Sequence, residues 1–148
     1  MQTLERAQAK ELAAAEKEIV LMSKRLYEIE GQSFSTLEEF AEHFSKVVLS
    51  DYDWHGNLDA FDDILIGGYG TPDQGFILVW KDSNISRERL GYSETARQLR
   101  KRLETCHPSN RGLVASELEM ALQHTGSTVF DWLVEIIQGH QDIELRLE

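Results

Sequence analysis

Asp59, Asp62 and Asp63 fall within five residues of the stretch GNLDAFDDILI, residues 56–66. On a helix, Asp59 and Asp63 at i and i+4 share one face, with Asp62 beside it. Like charges at that spacing weaken a helix. No lysine or arginine lies between Lys46 and Lys81 to offset them, while Asp51, Asp53 and Asp73 add to the same window. Three chemistries fit such a cluster. Carboxylates can hold Mg2+ for phosphoryl processing, usually with ligands from several elements. In a first turn they compensate the helix dipole, which accounts for Asp59 but poorly for Asp63. Exposed together, they steer and bind a cationic protein surface.

Other residues offer less. The histidines, at 43, 55, 107, 124 and 140, include no His-x-x-x-His or His-Glu-x-x-His pair. Cys106 and His107 are adjacent, but neighbours in sequence rarely face one another, and Cys106 reads as the end of an apolar helix face. A Gly-x-Ser-x-Gly elbow is absent. The glycines of GYGTPDQG follow a helix and precede a strand, the reverse of a phosphate-binding loop. Arg97, Arg100, Lys101 and Arg102 read as a solvated helix face. The expectation is therefore of no catalytic residue, no metal and no cofactor.

Periodicity identifies the elements that must position the aspartates. Leu26, Tyr27 and Ile29 predict a short strand closed by Gly31. Ser35-Thr36-Leu37-Glu38 is a capping-box signature, opening a helix with Leu37, Phe40, Ala41, Phe44, Val47 and Val48 on one face. The aspartates ride on the next helix, which turns Leu58, Phe61 and Leu65 inward. The unbroken apolar run Phe76–Trp80 predicts a strand covered on both faces.

Three further helical patterns follow. Ala96, Leu99, Leu103 and Cys106 mark one, capped at Ser93; Val114, Leu118, Ala121 and Leu122 mark another. Val129, Phe130, Leu133, Ile136 and Ile137 mark the last, ending at Gly139. Ile143, Leu145 and Leu147 alternate with charges, a strand with one wet face. This order predicts an α/β fold with a small parallel sheet. Residues 1–22, rich in Ala, Glu, Lys and Leu, predict an N-terminal helical extension to a domain over 23–148.

The chain has 148 residues, 41% apolar and 28% charged, enough for one domain with a real core. A net charge of −11 opposes direct nucleic-acid binding and suits a basic partner. No apolar run approaches the roughly 20 residues of a membrane span. A single cysteine and the lack of a secretion-signal pattern predict a cytoplasmic protein.

The residues YEIEGQSFSTLEEFAEHF, then GNLDAFDDIL, ILVW and EIIQGHQDIELRL, resemble the barstar family of intracellular ribonuclease inhibitors. The resemblance implies three parallel strands flanked by helices, no catalysis, and a protein that is monomeric when free. It would plug the active site of a basic ribonuclease or other nuclease toxin one to one. It implies partner contacts at Asp53, Trp54, His55, Asn57, Asp59, Asp62, Asp63, Gly67 and Glu135. Among them Asp63 would imitate the RNA phosphate, with Asp59 beside it. A Mg-dependent phosphoryl-processing enzyme using Asp59, Asp62 and Asp63, or an interaction module for something other than a nuclease, are the alternatives.

Departures from the family pattern point to a partner other than barnase. Asp53 and Trp54 stand where the family has two aromatics, and His55-Gly56 shifts a glycine by one place. Asp62 replaces an aromatic, and residues 83–127 read as an insertion that adds at least one helix.

Overall fold

The structure, a computed structural model, describes residues 8–12, 24–50 and 52–148. Residues 8–12 are helical; the rest of the 1–22 extension and Asp51 lie outside the described residues. From Arg25 the chain forms β1 (Arg25–Glu30), a 3-10 turn (Gly31–Ser33), α1 (Leu37–Val47), α2 (Leu58–Ile66) and β2 (Phe76–Lys81). There follow α3 (Ser83–Arg89), α4 (Tyr92–Thr105), a second 3-10 turn (Pro108–Asn110), α5 (Arg111–Leu122), α6 (Val129–Gln138) and β3 (Ile143–Leu147).

The strands form one parallel sheet in the order β1-β2-β3, with Tyr27 opposite Leu78 and Leu78 opposite Leu145. Its inner face carries Tyr27, Ile29, Phe76, Leu78, Trp80 and Ile143. These pack with Phe40 and Phe44 of α1, Phe61, Ile64 and Leu65 of α2, and Phe130 and Leu133 of α6 in one continuous core. Full burial of each such side chain is worth about 1.5–3 kcal/mol. Ile77 and Val79, on the opposite face of β2, are buried as well. Both faces of this strand are covered, which is why its sequence does not alternate.

A second, smaller cluster of Ala96, Leu99, Val114 and Ala121 joins α4 to α5, and Trp132 of α6 packs against both clusters. The helical pair is thus a satellite fastened to the main body partly through one tryptophan.

The helix starts differ from expectation in an informative way. Thr36, not Ser35, caps α1: its Oγ1 accepts the Glu39 N–H at 3.1 Å, while the Glu39 carboxylate accepts the Ser35 N–H at 3.4 Å. Glu39 therefore takes the N3 position, and Glu38 is released to reach α4. Helix α4 begins behind Gly91, with no side-chain cap, and not at Ser93. Leu122, expected on the inner face of α5, is 55% exposed, and Val47 and Leu58 are only partly buried.

Helix α3 was not expected at all, because SNISRER carries no apolar stripe. Its anchor is polar. The fully buried Ser86 Oγ accepts the Trp80 Nε1–H at 2.9 Å and donates to the Gly31 carbonyl at 3.2 Å.

The basic face of α4 is also more than a solvated surface. Glu94, 5% exposed, accepts the backbone N–H of Leu37 at 2.7 Å, capping α1 from a different helix. Arg97 binds Glu94 and Glu38, Gln98 donates to both, and Lys101 reaches Glu38 at 2.6 Å. The Arg102 guanidinium lies over the Trp132 ring, 5.7 Å from its centroid, while Arg100 is exposed. Three of the four cations thus fasten α4 to its neighbours.

Candidate partner-binding site

The acidic helix is held from below by residues just before it. The Trp54 ring stacks on Phe61 with centroids 4.4 Å apart and planes 11° from parallel. Its Nε1–H donates to the Asn57 carbonyl at 2.8 Å, and its backbone N–H donates to Ser45 Oγ on α1 at 2.9 Å. Asn57 in turn caps α2, its Oδ1 accepting the Asp59 N–H at 2.9 Å and the Ala60 N–H at 3.4 Å. Such a cap is worth about 1 kcal/mol. The start of α2 is therefore set by a buried indole and a side-chain cap in series.

This arrangement turns Phe61, Ile64 and Leu65 into the core and leaves Asp59, Asp62 and Asp63 exposed. Ile66, 69% exposed, follows Asp62 and Asp63 by one turn and adds an apolar tip to that face. Among the described residues, the carboxylates of Asp59 and Asp63 make no ion pair and no side-chain hydrogen bond. Asp62 differs: its Oδ1 lies 2.8 Å from His140 Nε2, in the turn between α6 and β3.

The remaining expected contacts divide. Asp53 and His55 are exposed on the loop before α2, and Gly67 closes the helix with φ of 138°. Glu135 is exposed on α6, which packs alongside α2. Trp54 is not a surface residue. It is 3% exposed, so its ring supports the helix from within and has no face left for a partner.

Two features escaped sequence reasoning. His140 carries no local signal linking it to Asp62, 78 residues away. Tyr52 and Tyr69 meet edge to face with centroids 4.6 Å apart, placing a partly exposed aromatic pair at the loops flanking α2. Their spacing in sequence gives no hint of contact; only the return of the glycine-rich loop onto Ser50 brings them together.

Among the described residues, no group of three His, Cys, Asp or Glu side chains converges to hold a metal ion. No helix among them is long and apolar enough to cross a membrane.

Sheet topology, helix order and the outward carboxylates define a small α/β scaffold that displays a charged helix. The sequence model of the family Barstar (barnase inhibitor) matches residues 24–112, more than half of the chain, and the chain belongs to that family. At the family level the role is inhibition of ribonuclease, and the family is one of inhibitors, not enzymes. The matched residues include the whole acidic helix and its supports, and run on through α4; α6 with Glu135, and β3, lie beyond them. No curated protein is similar enough to the chain to match.

Proposed function

We propose that this chain is an immunity protein that binds a basic nuclease toxin one to one and blocks its active site with α2. The observation that carries this reading is the exposed pair Asp59 and Asp63, without a cation among the described residues, on a helix whose start is rigidly supported. Their mutual repulsion costs the free protein stability, and a cationic pocket would reverse that cost on binding. Asp63 occupies the place of the RNA phosphate. Asp59, Asp62 and Glu135 complete an acidic surface that steers the partner, with Asp53, His55, Asn57 and Gly67 at its edge.

Inhibition takes place in the cytoplasm of the bacterial cell that makes the toxin, and the free inhibitor is monomeric. In the barnase–barstar complex, close charge pairs couple by about 1.5–7 kcal/mol, a magnitude belonging to that pair.

The test is calorimetric titration of the basic nuclease encoded beside this gene. Asp63→Ala should cost more than about 2 kcal/mol of binding. An affinity within about tenfold of the native chain would remove the phosphate-mimic role.

A further inference from the structure

The N-terminal end of α2 forms one wall of a groove whose other wall is the α4–α5 pair. The opening, about 690 Å3, runs from Asn57 and Asp59 past Glu104 to Leu113 and Glu117, with Trp132 at its side. A smaller recess continues it along Met120 to Gly126, sharing Glu117 and Trp132.

The charges of this groove are uneven once their partners are counted. Lys101 is engaged by Glu38, and Arg102 lies over Trp132. Asp59, Glu104 and Glu117 make no ion pair among the described residues. Leu113, Glu117 and Met120 share one face of α5, and Leu113 is 65% and Met120 45% exposed. The lining is therefore mixed. Leu113, Val114 and Trp132 are its apolar part, and the three carboxylates outnumber Arg102, the one lining cation without a carboxylate partner among the described residues. Such a lining is the complement of a segment that carries lysines or arginines beside an apolar side chain.

We infer that this groove receives a second, basic segment of the nuclease that α2 inhibits, so that the α4–α5 pair selects which nuclease is bound. The inference rests on the inhibitor reading above. Asp59 belongs to both surfaces, so a partner seated on α2 is led directly into the groove, and the two surfaces share one sign of charge.

The experiment measures inhibition of RNA cleavage by the nuclease encoded beside this gene and by a panel of basic ribonucleases, barnase included. It compares the native chain with Leu113→Asp, Glu117→Arg and Asp63→Ala. Neither α5 substitution touches the main core, so helicity and melting should be unchanged. Each should weaken inhibition of the cognate nuclease at least about tenfold.

If Asp63→Ala weakens inhibition while both α5 variants stay within about twofold of native, the groove assignment falls and the inhibitor reading stands. A native chain that inhibits no nuclease of the panel overturns both. A Leu113→Asp variant that turns a sedimenting dimer into a monomer gives the groove to a second copy. One that makes residues 1–23 newly sensitive to protease gives it to the chain's own N-terminal segment. Either result overturns the inference.

Discussion

His140 Nε2 lies 2.8 Å from Asp62 Oδ1, joining the turn before β3 to the outer face of α2. The imidazole is largely enclosed, with 12% of its side chain exposed, whereas the Asp62 side chain is 61% exposed. Asp62 is therefore tied within the molecule, while Asp63, one residue on, has no ion pair among the described residues.

The two aspartates should accordingly behave differently. Asp62→Ala is expected to cost at most about 1 kcal/mol of partner affinity, because removing a carboxylate already paired within the molecule removes less interaction energy. Asp63→Ala should cost more than about 2 kcal/mol. Parallel titrations of the two variants check the ranking, and equal losses would show that the His140 contact does not differentiate them.

Glu94 supplies a second contrast. Its carboxylate is nearly enclosed and accepts from the Leu37 backbone, Arg97 and Gln98 at once. Glu94→Ala leaves the buried Leu37 N–H without its acceptor and Arg97 with Glu38 alone, so unfolding free energy should fall by about 1–3 kcal/mol. Chemical denaturation measures it, and a loss under about 1 kcal/mol would mean that water replaces the carboxylate freely.

Glu38 gives the acid limb of stability. Burial alone would raise its carboxyl, but hydrogen bonds from Lys101, Gln98 and Arg97 outweigh this and hold it at about 2, against an ordinary value of 4.5. A depressed carboxyl stabilises the fold fully above the unfolded value, and that contribution disappears as pH falls from about 4.5 towards about 2. Glu38→Gln should therefore flatten the stability curve in that window. Because the site is partly exposed, the loss at pH 7 should be only about 1 kcal/mol. Denaturant midpoints from pH 7 down to 2 read both effects.

Two glycines near the site should respond differently to a methyl group. Gly75, at φ of 84°, would place a Cβ 1.9 Å from the Asp142 carbonyl oxygen, so Gly75→Ala must move the entry to β2 or β3. A loss of more than about 3 kcal/mol is expected. Gly67 has φ of 138° but open space around it, so Gly67→Ala should cost only backbone strain, about 1–3 kcal/mol. Thermal melting of both variants gives the order.

The acidic helix, the apolar faces of α1 and α6, and the three strands were legible because each rests on a local period, 3.6 or 2, along a contiguous stretch. The run at Phe76–Trp80 identified the central strand for the same reason. Helix α3 was illegible because it is anchored by the buried hydroxyl of Ser86, which leaves no periodic apolar mark. The capping box is legible as a motif but not to the residue, since Ser35 and Thr36 both fit its pattern; in the fold Glu39 bonds Thr36 and Ser35 while Glu38 reaches α4.

The sequence by itself determined that a cation-free acidic segment exists, that it is helical, and which side of it faces the core. Tertiary structure alone decided which carboxylates stay available. It buried Trp54 as a support, joined Asp62 to His140, enclosed Glu94 against α1, and folded α4 and α5 round to face Asp59. Those outcomes depend on contacts between residues up to 78 positions apart, such as Asp62 with His140. Such pairs form because burial of Phe61, Trp80 and Phe130 brings their helices and strands together. No pattern within one turn or one strand encodes that meeting.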